Sequence, residues 1–310
     1  MKKIVSIMLA VGLLWAGTLL ADIKYTSDIL VAKGPSITAL DGNFYVAYAD
    51  KEKDVLFGKV KIQTAGGTVV IWQKSAEVQY STNHQPDCTS VNGNLVLAFA
   101  EENGNVKLVV YNTEYNMLGT TEYKPSAEYA PSVAGFRSKV VSTWVSSDKP
   151  GLTLVGSDIT SIGSYNNLCD LRYSEYKPKS PVSLDVYGDL AAAVWKDGDD
   201  KIHITCFALQ LSGGAISVTG YHDTLLAEKT KLYPACAFNE EGSLVLVWPS
   251  EDEKYIFVDF FSADSVSDAA SLRKESIEVN GCLGLDLCFS GGKAYIAYAD
   301  KDGKLTVSKF

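Results

Sequence analysis

Residues 35–50 read PSITALDGNFYVAYAD, and residues 86–101 repeat the pattern as PDCTSVNGNLVLAFAE. Each stretch holds a proline, a short segment that ends in a turn, and an almost continuous apolar run. The turn dipeptides Asp41-Gly42 and Asn92-Gly93 tolerate positive φ and favour tight β-hairpins. The apolar run is typical of a strand that is covered on both faces. Each stretch therefore predicts two antiparallel strands joined by a two-residue turn.

The pattern occurs six times along the chain. In each copy a turn residue is followed, six positions later, by a large apolar and usually aromatic side chain. These pairs are Gly42 and Tyr48, Gly93 and Phe99, Ser138 and Trp144, Gly188 and Val194 (with Trp195 beside it), Gly242 and Trp248, and Gly292 and Tyr298. The turn residues lie 51, 45, 50, 54 and 50 residues apart. A period of this length indicates several strands per repeat, because a single-coil solenoid repeat takes only about 20 to 30 residues.

The second repeat shows the strand order within one unit. It predicts strands over Asp87–Val91, Asn94–Ala100, Val106–Tyr111 and Thr120–Tyr123, and the chain shows no sustained helical periodicity. Six such sheets, each of four antiparallel strands, predict an all-β, six-bladed β-propeller with about 48 residues per blade. Tandem sandwiches are the alternative, but units of about 50 residues are too small for independent cores.

The two ends of the chain predict how the ring closes. After Tyr298 the segment Lys304–Phe310 supplies a third strand but not a fourth, while Ile23–Ala32 is a strand that precedes the first repeat. We therefore expect the N-terminal strand to complete the last blade. Closure of this kind removes an unpaired sheet edge.

The first 21 residues have the layout of a secretory signal peptide. Lys2 and Lys3 precede an apolar run over 4–14, and small and apolar residues lead to a cleavage site predicted before Asp22. This predicts a secreted or periplasmic protein with one propeller domain over residues 22–310, although an uncleaved membrane anchor is an alternative. No segment after Asp22 is long and apolar enough to cross a membrane.

Composition excludes several classes of protein. The 310 residues are 46% hydrophobic and 21% charged, as in an ordered globular protein, and the net charge is -9. An acidic chain without clustered Lys and Arg does not fit a nucleic-acid partner. The six cysteines lie in the exported part, where disulfides persist, but the sequence cannot choose among their pairings. They show no CxxC or other metal-type spacing.

The blade pattern of residues 35–50 and 86–101 resembles that of the sialidase-like and NHL-type six-bladed propellers. The resemblance implies the architecture alone. Sialidases carry Asp-box turns and an arginine triad, whereas this chain has no such box. Its arginines are Arg137, Arg172 and Arg273, at positions that do not predict one converging cluster. The catalytic residues of that family therefore cannot be transferred to this chain.

One candidate site lies at the start of the innermost strands. Six positions before the turn residues the repeat places Ser36, Asp87, Ser132, Val182, Cys236 and Asp286, which would encircle one mouth of the central channel. Asp87 and Asp286 lie on the two blades that flank the first, and two carboxylates in one cavity could hold a cation or act as an acid/base pair. The alternative is that Ser and Asp beside proline satisfy backbone groups in a turn.

The connections into the inner strands carry aromatic and polar residues around the same mouth. Tyrosine suits sugar or peptide binding, because its ring offers apolar area and its hydroxyl a hydrogen bond. These residues are Tyr80, His84, Tyr129, Tyr176, Lys177 and Tyr233.

The predicted hairpins between second and third strands, at the same end, are acidic. They could attract a basic partner or weakly hold calcium, although Asp and Gly are also what solvated turns require. They include Asp50–Asp54, Glu101-Glu102, Asp148, Asp197–Asp200, Glu251–Glu253 and Asp300–Asp302.

The sequence shows no familiar catalytic set. His84, His203 and His222 are the only histidines, there is no GxSxG elbow or HExxH helix, and the glycine pairs Gly66-Gly67 and Gly213-Gly214 lack a following Lys and helix. We interpret His203 as an ordinary strand residue. We therefore predict a non-catalytic propeller without a cofactor that binds a protein or carbohydrate at the channel mouth. The alternatives are a glycoside hydrolase or lyase that uses Asp87 or Asp286, and a structural subunit of a surface assembly.

Overall fold

The fold is an all-β, six-bladed propeller. The computed structural model describes residues 23–62, 70–147, 152–158, 165–171, 177–262 and 271–310. These residues form no helix and six antiparallel sheets of four strands each. The predicted signal peptide lies outside the described residues. The described part of the chain holds no helix with the length and apolar character needed to cross a membrane.

The blades follow one another along the chain, each from its inner to its outer strand. Blade 1 is β2 (Ser36–Leu40), β3 (Asn43–Ala49), β4 (Asp54–Ile62) and β5 (Val70–Ser81), and blade 2 is β6 (Asp87–Val91), β7 (Asn94–Ala100), β8 (Val106–Tyr111) and β9 (Met117–Tyr123). Blade 3 is β10 (Ser132–Phe136), β11 (Lys139–Val145), β12 (Leu152–Asp158) and β13 (Tyr165–Leu171), and blade 4 is β14 (Ser183–Tyr187), β15 (Leu190–Lys196), β16 (Lys201–Ser212) and β17 (Ala215–Lys229). Blade 5 is β18 (Ala235–Phe238), β19 (Leu244–Pro249), β20 (Tyr255–Phe261) and β21 (Ser271–Glu278), and blade 6 is β22 (Gly284–Ser290), β23 (Lys293–Ala299) and β24 (Lys304–Lys309), with β1 (Ile23–Leu30) outermost.

The prediction that the first strand completes the last blade is confirmed. The order in blade 6 is β1-β24-β23-β22, and β1 pairs with β24 so that Ile23 lies opposite Lys309 and Thr26 opposite Thr306. The Ser27 hydroxyl donates a hydrogen bond to the Leu305 carbonyl at 3.2 Å. The two ends of the propeller domain are thus held in one sheet.

The core is divided among the junctions between blades. Each of six clusters of buried side chains draws its members from two neighbouring blades. The aromatic residues that mark the repeat are buried in these clusters, with Phe99 fully buried and Trp195 and Trp248 each 1% exposed. Since each blade shares its apolar faces with both neighbours, no blade holds a core of its own.

The turns between first and second strands confirm the sequence signal. Asp41 and Gly42 have φ of 51° and 70°, and Asn92 and Gly93 have φ of 50° and 72°. Positive φ at both central residues defines the type I′ turn, whose twist matches that of a hairpin. We call the end of the propeller with these turns the turn face. The opposite end, where the chain passes between blades and where second and third strands join, we call the connection face.

Candidate functional site

The starts of the inner strands form a ring around the propeller axis. One residue of each inner strand occupies the equivalent position in this ring. In every blade it pairs with the second-strand residue that lies three places before the Asp, Glu or Ser at the start of the hairpin between second and third strands. These residues are Ser36, Asp87, Ser132, Ser183, Ala235 and Asp286, and we call them the channel ring.

Two of the six predicted ring positions were wrong by one residue, because turn lengths differ. The turn of blade 4 is Gly188-Asp189, so counting back from its second residue reaches Ser183 rather than Val182. In blade 5 Phe238 pairs with Leu244, which leaves a loop of five residues and places Ala235, not Cys236, in the ring. A shift of one residue along a strand turns a side chain to the other face of the sheet.

Ring side chains join each blade to the next. The side-chain oxygen of one ring residue accepts a hydrogen bond from the backbone N–H that follows the ring residue of the next blade. The pairs are Asp286 with Ile37 (3.0 Å), Ser36 with Cys88 (3.0 Å), Asp87 with Val133 (2.7 Å), Ser132 with Leu184 (3.0 Å) and Ser183 with Cys236 (3.1 Å). At the remaining junction Ala235 has no side-chain acceptor, and the Leu287 N–H bonds to the Asp286 carboxyl instead. Ser and Asp therefore satisfy backbone groups, as the alternative prediction expected, but those of a neighbouring blade.

The two predicted carboxylates come together. The Ser36 hydroxyl lies 2.7 Å from Asp87 Oδ1 and 2.7 Å from Asp286 Oδ2. Asp87 also receives hydrogen bonds from Ser132 Oγ at 2.6 Å, from the Cys88 N–H at 2.8 Å and from the Val133 N–H. Four donors use the acceptor capacity of an ionised carboxylate, so Asp87 has no open position for a cation or a substrate atom.

Burial controls the charge of these acids. Desolvation raises the pKa of Asp87, and it raises the pKa of Asp286 well above its usual range, with the nearby Asp87 adding to the effect. It also raises the pKa of Asp185, which follows Ser183 by two residues on β14, to about 6. Sequence analysis missed Asp185, because it considered one position per inner strand and Asp185 lies two residues beyond the ring position of β14.

A cavity of about 300 Å³ extends from the channel ring toward the turn face. All six blades contribute to its wall. The polar and thiol groups that line it include Asp87, Asp185, Asp286, Cys88, Cys236 and Cys288, and Tyr187 and Glu240 lie near its opening. The five cysteines whose side chains are described, these three with Cys206 and Cys282, are free thiols.

On the connection face the space at the ring is only about 30 Å³. Gln85 fills this end, because its Nε2 donates to the carbonyl of Pro35 at 3.0 Å and to that of Leu285 at 3.4 Å. Tyr233 lines the same space, and burial raises the pKa of its phenol well above the usual range. The larger space thus lies on the opposite side of the ring from the predicted mouth.

The predicted aromatic residues do not share one pocket. Tyr233 lines the narrow space, whereas neither Tyr80 nor Tyr129 lines this space or the central cavity. His84 is half-buried beside Thr82, whose hydroxyl accepts its backbone N–H, and burial together with Lys33 lowers its imidazole pKa. Tyr176 lies outside the described residues.

Tyr80 instead belongs to a cluster between blades 1 and 2. The Lys107 ammonium lies 4.1 Å from the centre of the Tyr80 ring and forms ion pairs with Glu101 at 2.8 Å and Glu122 at 3.7 Å. The Asn105 amide donates to Glu122 at 2.8 Å. We call these five residues the Lys107 cluster. The side chain of Glu122 is 37% exposed, so solvent reaches the cluster.

Two other places between blades combine an aromatic ring, a lysine and a glutamate. Lys274 pairs with Glu228 at 2.7 Å and lies 5.0 Å from the centre of the Trp248 ring. Lys177 pairs with Glu128 at 3.1 Å, next to Tyr129 in the chain.

His203 has a more constrained setting than the sequence suggested. It is fully buried and stacks on Trp195 with ring centres 4.0 Å apart. Its two ring nitrogens lie 3.1 Å from Asp197 Oδ2 and 3.2 Å from Asp223 Oδ2. The histidine therefore bridges two carboxylates inside blade 4.

The acidic hairpins use their first acid to close the turn. Asp50 Oδ1 accepts the N–H groups of Glu52 and Asp54 at 2.9 and 3.0 Å, and Asp300 Oδ1 accepts those of Asp302 and Lys304 at 2.9 Å each. Asp148 lies outside the described residues. Within the described ranges no three His, Cys, Asp or Glu side chains are arranged to ligate a metal.

Several solved structures are similar in fold to this chain. The six-bladed fucose-recognising lectin of Aleuria aurantia has a TM-score of 0.60 and 9% identity, and the match covers 93% of this chain and 91% of the lectin. The BP39L lectin of Burkholderia pseudomallei has a TM-score of 0.58 and 10% identity over 93% of this chain and 80% of its own. Hydrazine synthase of Kuenenia stuttgartiensis has a TM-score of 0.52 and 13% identity over 88% of this chain and 82% of its own.

No protein-family model matches the chain, and no curated protein sequence matches it. Identities of 9 to 13% show the fold alone. The expected six-bladed propeller is confirmed, while the specific resemblance to sialidase-like and NHL-type propellers is not confirmed.

Proposed function

We propose that this chain is an exported, non-catalytic propeller that binds carbohydrate on its connection face. The observation that carries the proposal is the Lys107 cluster, in which the ring of Tyr80 lies beside an ammonium group and two carboxylates. Tyr80 is half-buried, with Lys107 over its ring and Phe99 5.2 Å from its centre, so the part of the ring that remains exposed offers apolar contact to a sugar. The charged groups and the Asn105 amide offer donors and acceptors to the sugar hydroxyls.

The comparisons support this class of ligand. Aleuria aurantia lectin has been solved with alpha-methyl-L-fucoside and with Fucalpha1-6GlcNAc, at TM-scores of 0.60 and 0.61 to this chain. Hydrazine synthase is also similar in fold to this chain, so the fold does not decide the function. The residues of the connection face therefore carry the argument, and the signal-like segment Met1–Ala21 supports export.

The saturation of Asp87 supports a non-catalytic role. The enzyme alternative requires a carboxylate that can donate or accept a proton at a substrate. Asp87 instead receives four hydrogen bonds from protein donors, and Asp286 contacts Ser36 and Ile37.

A glycan array probed with residues 22–310 tests the proposal, followed by titration of the best glycan against variants. We expect Lys107→Met and Tyr80→Ala each to weaken binding about tenfold, which corresponds to about 1.4 kcal/mol. Arg137→Ala is the matched control, because Arg137 forms an exposed ion pair with Asp189 on the turn face. Its affinity should equal that of the wild type.

Three outcomes would contradict the proposal. Unchanged affinity in both cluster variants would exclude the Lys107 cluster as the site. An array without binding would exclude the ligand class. Release of reducing sugar from a bound glycan would overturn the non-catalytic assignment.

A further inference from the structure

The contacts of Ser36 require a proton that the hydroxyl alone cannot supply. Its Oγ lies 2.7 Å from an oxygen of Asp87 and 2.7 Å from an oxygen of Asp286, and it accepts the Cys88 N–H at 3.0 Å. A serine hydroxyl donates one hydrogen bond. If both carboxyls were ionised, one of the two short contacts would join two acceptors. One of the two acids must therefore be protonated and must donate to Ser36.

The surrounding donors identify the protonated acid. Asp87 faces four donors, from Ser36, Ser132 and the N–H groups of Cys88 and Val133, which is the environment of an ionised carboxylate. Asp286 receives two backbone N–H groups, that of Ile37 at Oδ2 and that of Leu287, and its Oδ2 contacts Ser36. Asp286 thus has fewer donors than Asp87, and a proton on its Oδ2 points at the free lone pair of Ser36 Oγ. The Ser36 hydroxyl then donates to Asp87.

The groups that face Asp286 favour a proton over a counter-ion. They are Asp87 and Cys88 on β6, Asp185 on β14, Tyr233 before β18, Cys236 on β18 and Cys288 on β22 itself. All of them are acids, thiols or a phenol. Among the described residues that line the cavity and the narrow space there is no lysine, arginine or histidine. Without a nearby cation, one bound proton removes the charge repulsion between two buried carboxylates.

We propose that Asp286, Ser36 and Asp87 form a proton lock, in which one proton on Asp286 completes a hydrogen-bonded chain that holds blades 6, 1 and 2 together. Asp286 belongs to blade 6, Ser36 to blade 1 and Asp87 to blade 2. The lock therefore spans the junction next to the blade that β1 closes. When the proton leaves, two carboxylates face each other across one hydroxyl, and their repulsion weakens this junction.

The direction of the pH effect follows from linkage. Burial and Asp87 raise the pKa of Asp286 above the ordinary value of 3.8. At pH values between the unfolded-state and folded-state pKa, the folded protein therefore holds a proton that the unfolded chain has released. Stability therefore falls as pH rises from about 4 toward the folded-state pKa, and the loss is complete above it.

Infrared spectroscopy tests the lock directly. At pH 7.5 we expect the wild type to show the C=O stretch of a protonated carboxylic acid, and Asp286→Asn to lose it. Asp300→Asn is the matched control, because Asp300 closes an exposed turn. Absence of the band in the wild type, or its persistence in Asp286→Asn, would overturn the proposal.

The wild type alone provides a second test, which does not depend on the folding of a variant. The band should disappear on alkaline titration, and the denaturant midpoint should fall from about pH 4 up to the pH at which the band disappears and change little above it. Asp286→Asn, where it folds, should show a flatter dependence of the midpoint on pH. A band that vanishes without any fall in the midpoint would contradict a role in holding the blades together.

Discussion

Asp185 is a buried carboxylate of the cavity wall whose stabilising contacts are few. Its carboxyl accepts the Phe238 N–H at 2.7 Å and the N–H of Val186, and no hydroxyl is among its hydrogen-bond partners in the described structure. Burial raises its pKa from 3.8 to about 6. At neutral pH the folded protein therefore holds an ionised group in an unfavourable place. The hydrogen bond to Phe238, which joins blades 4 and 5, is the structural gain that offsets this cost.

Asp185→Asn should stabilise the protein at neutral pH. The amide oxygen can still accept the Phe238 N–H, while the buried charge is gone. A rise of the pKa from 3.8 to about 6 corresponds to an upper value of about 3 kcal/mol, so we expect a gain of about 1 to 3 kcal/mol at pH 7.5. The wild type loses stability as pH rises from about 4 to about 6, because the folded form binds the proton more tightly, and the variant should lack this part of the loss.

Chemical denaturation at pH 4 and pH 7.5 measures the Asp185 effect. Asp189→Asn is the control, since Asp189 is exposed and should change the unfolding free energy by less than about 1 kcal/mol at either pH. A variant with the same difference between the two pH values as the wild type would show that Asp185 is not the titrating group.

Among the individual residues, the sequence predicted part of the candidate site. Repeat spacing alone identified Ser36, Asp87, Ser132 and Asp286 as neighbours on the axis, because a period shared by all blades places equivalent residues on one ring. It could not show that these side chains bond across blades, since that depends on the distance between inner strands. The Lys107 cluster was also hidden, because its members come from two blades and four separate segments.

Strands were predicted best where both faces are buried. In blade 2 the predicted bounds of the first three strands agree with the structure, but the outer strand starts at Met117 rather than Thr120. Met117 and Leu118 are 58% and 55% exposed, so the outer strand has no apolar alternation at its start to mark it. The prediction of the ring residue in blade 4 was wrong for a different reason. A turn that begins at Gly188 shifts the count by one residue, and a pattern of period two does not tolerate such a shift.

The junction between blades 4 and 5 provides a test at the scale of the strand. Ser183→Ala removes the acceptor of the Cys236 N–H and should destabilise the protein by about 1 to 3 kcal/mol, because a buried donor is left unpaired. Ala235→Ser is the matched change in the ring. The Leu287 N–H already bonds to the Asp286 carboxyl, so a new hydroxyl should add no stability.

Urea denaturation of both ring variants gives the unfolding free energies. If Ala235→Ser stabilised the protein as much as Ser183→Ala destabilised it, the two junctions would be equivalent. The hydrogen bond assigned between the Leu287 N–H and the Asp286 carboxyl would then not be what satisfies that N–H.

The whole molecule depends on contacts between blades rather than within them. Each of the six clusters of buried side chains spans two blades, and the cluster between blades 6 and 1 includes residues next to β1. Prediction succeeded at this scale because six copies of one pattern constrain the architecture more strongly than any single copy. The size and side of the central cavity could not be predicted, because they follow from how closely the inner strands approach and from how Gln85 fills one end.

Removal of residues 22–30 should destabilise the entire propeller. The loss of β1 exposes the edge of β24 and the hydrogen-bonding groups that pair with Ile23 to Leu30. We expect the melting temperature to fall by several degrees, at about 2 to 4 °C for each kcal/mol in a domain of 150 to 250 residues. A synthetic peptide of residues 23–30 added in excess should restore part of the loss, whereas a peptide of the same composition in scrambled order should not.

Calorimetry of the shortened chain with each peptide makes this comparison. An unchanged melting temperature would mean that β1 adds nothing to closure. Equal recovery with both peptides would mean that the pairing seen between β1 and β24 is not the source of the stability.

The pairing of Ile23 with Lys309 also determines how the propeller is oriented when it is attached to a surface through either end. β24 runs away from the connection face, so Lys309 and Ile23 lie side by side at the opposite end of blade 6. A tether attached at either terminus, whether to a bead, a sensor chip or a cell envelope, would leave from the same spot. The Lys107 cluster would then point outward from the supporting surface, and immobilisation by the two termini should give indistinguishable access to a soluble ligand.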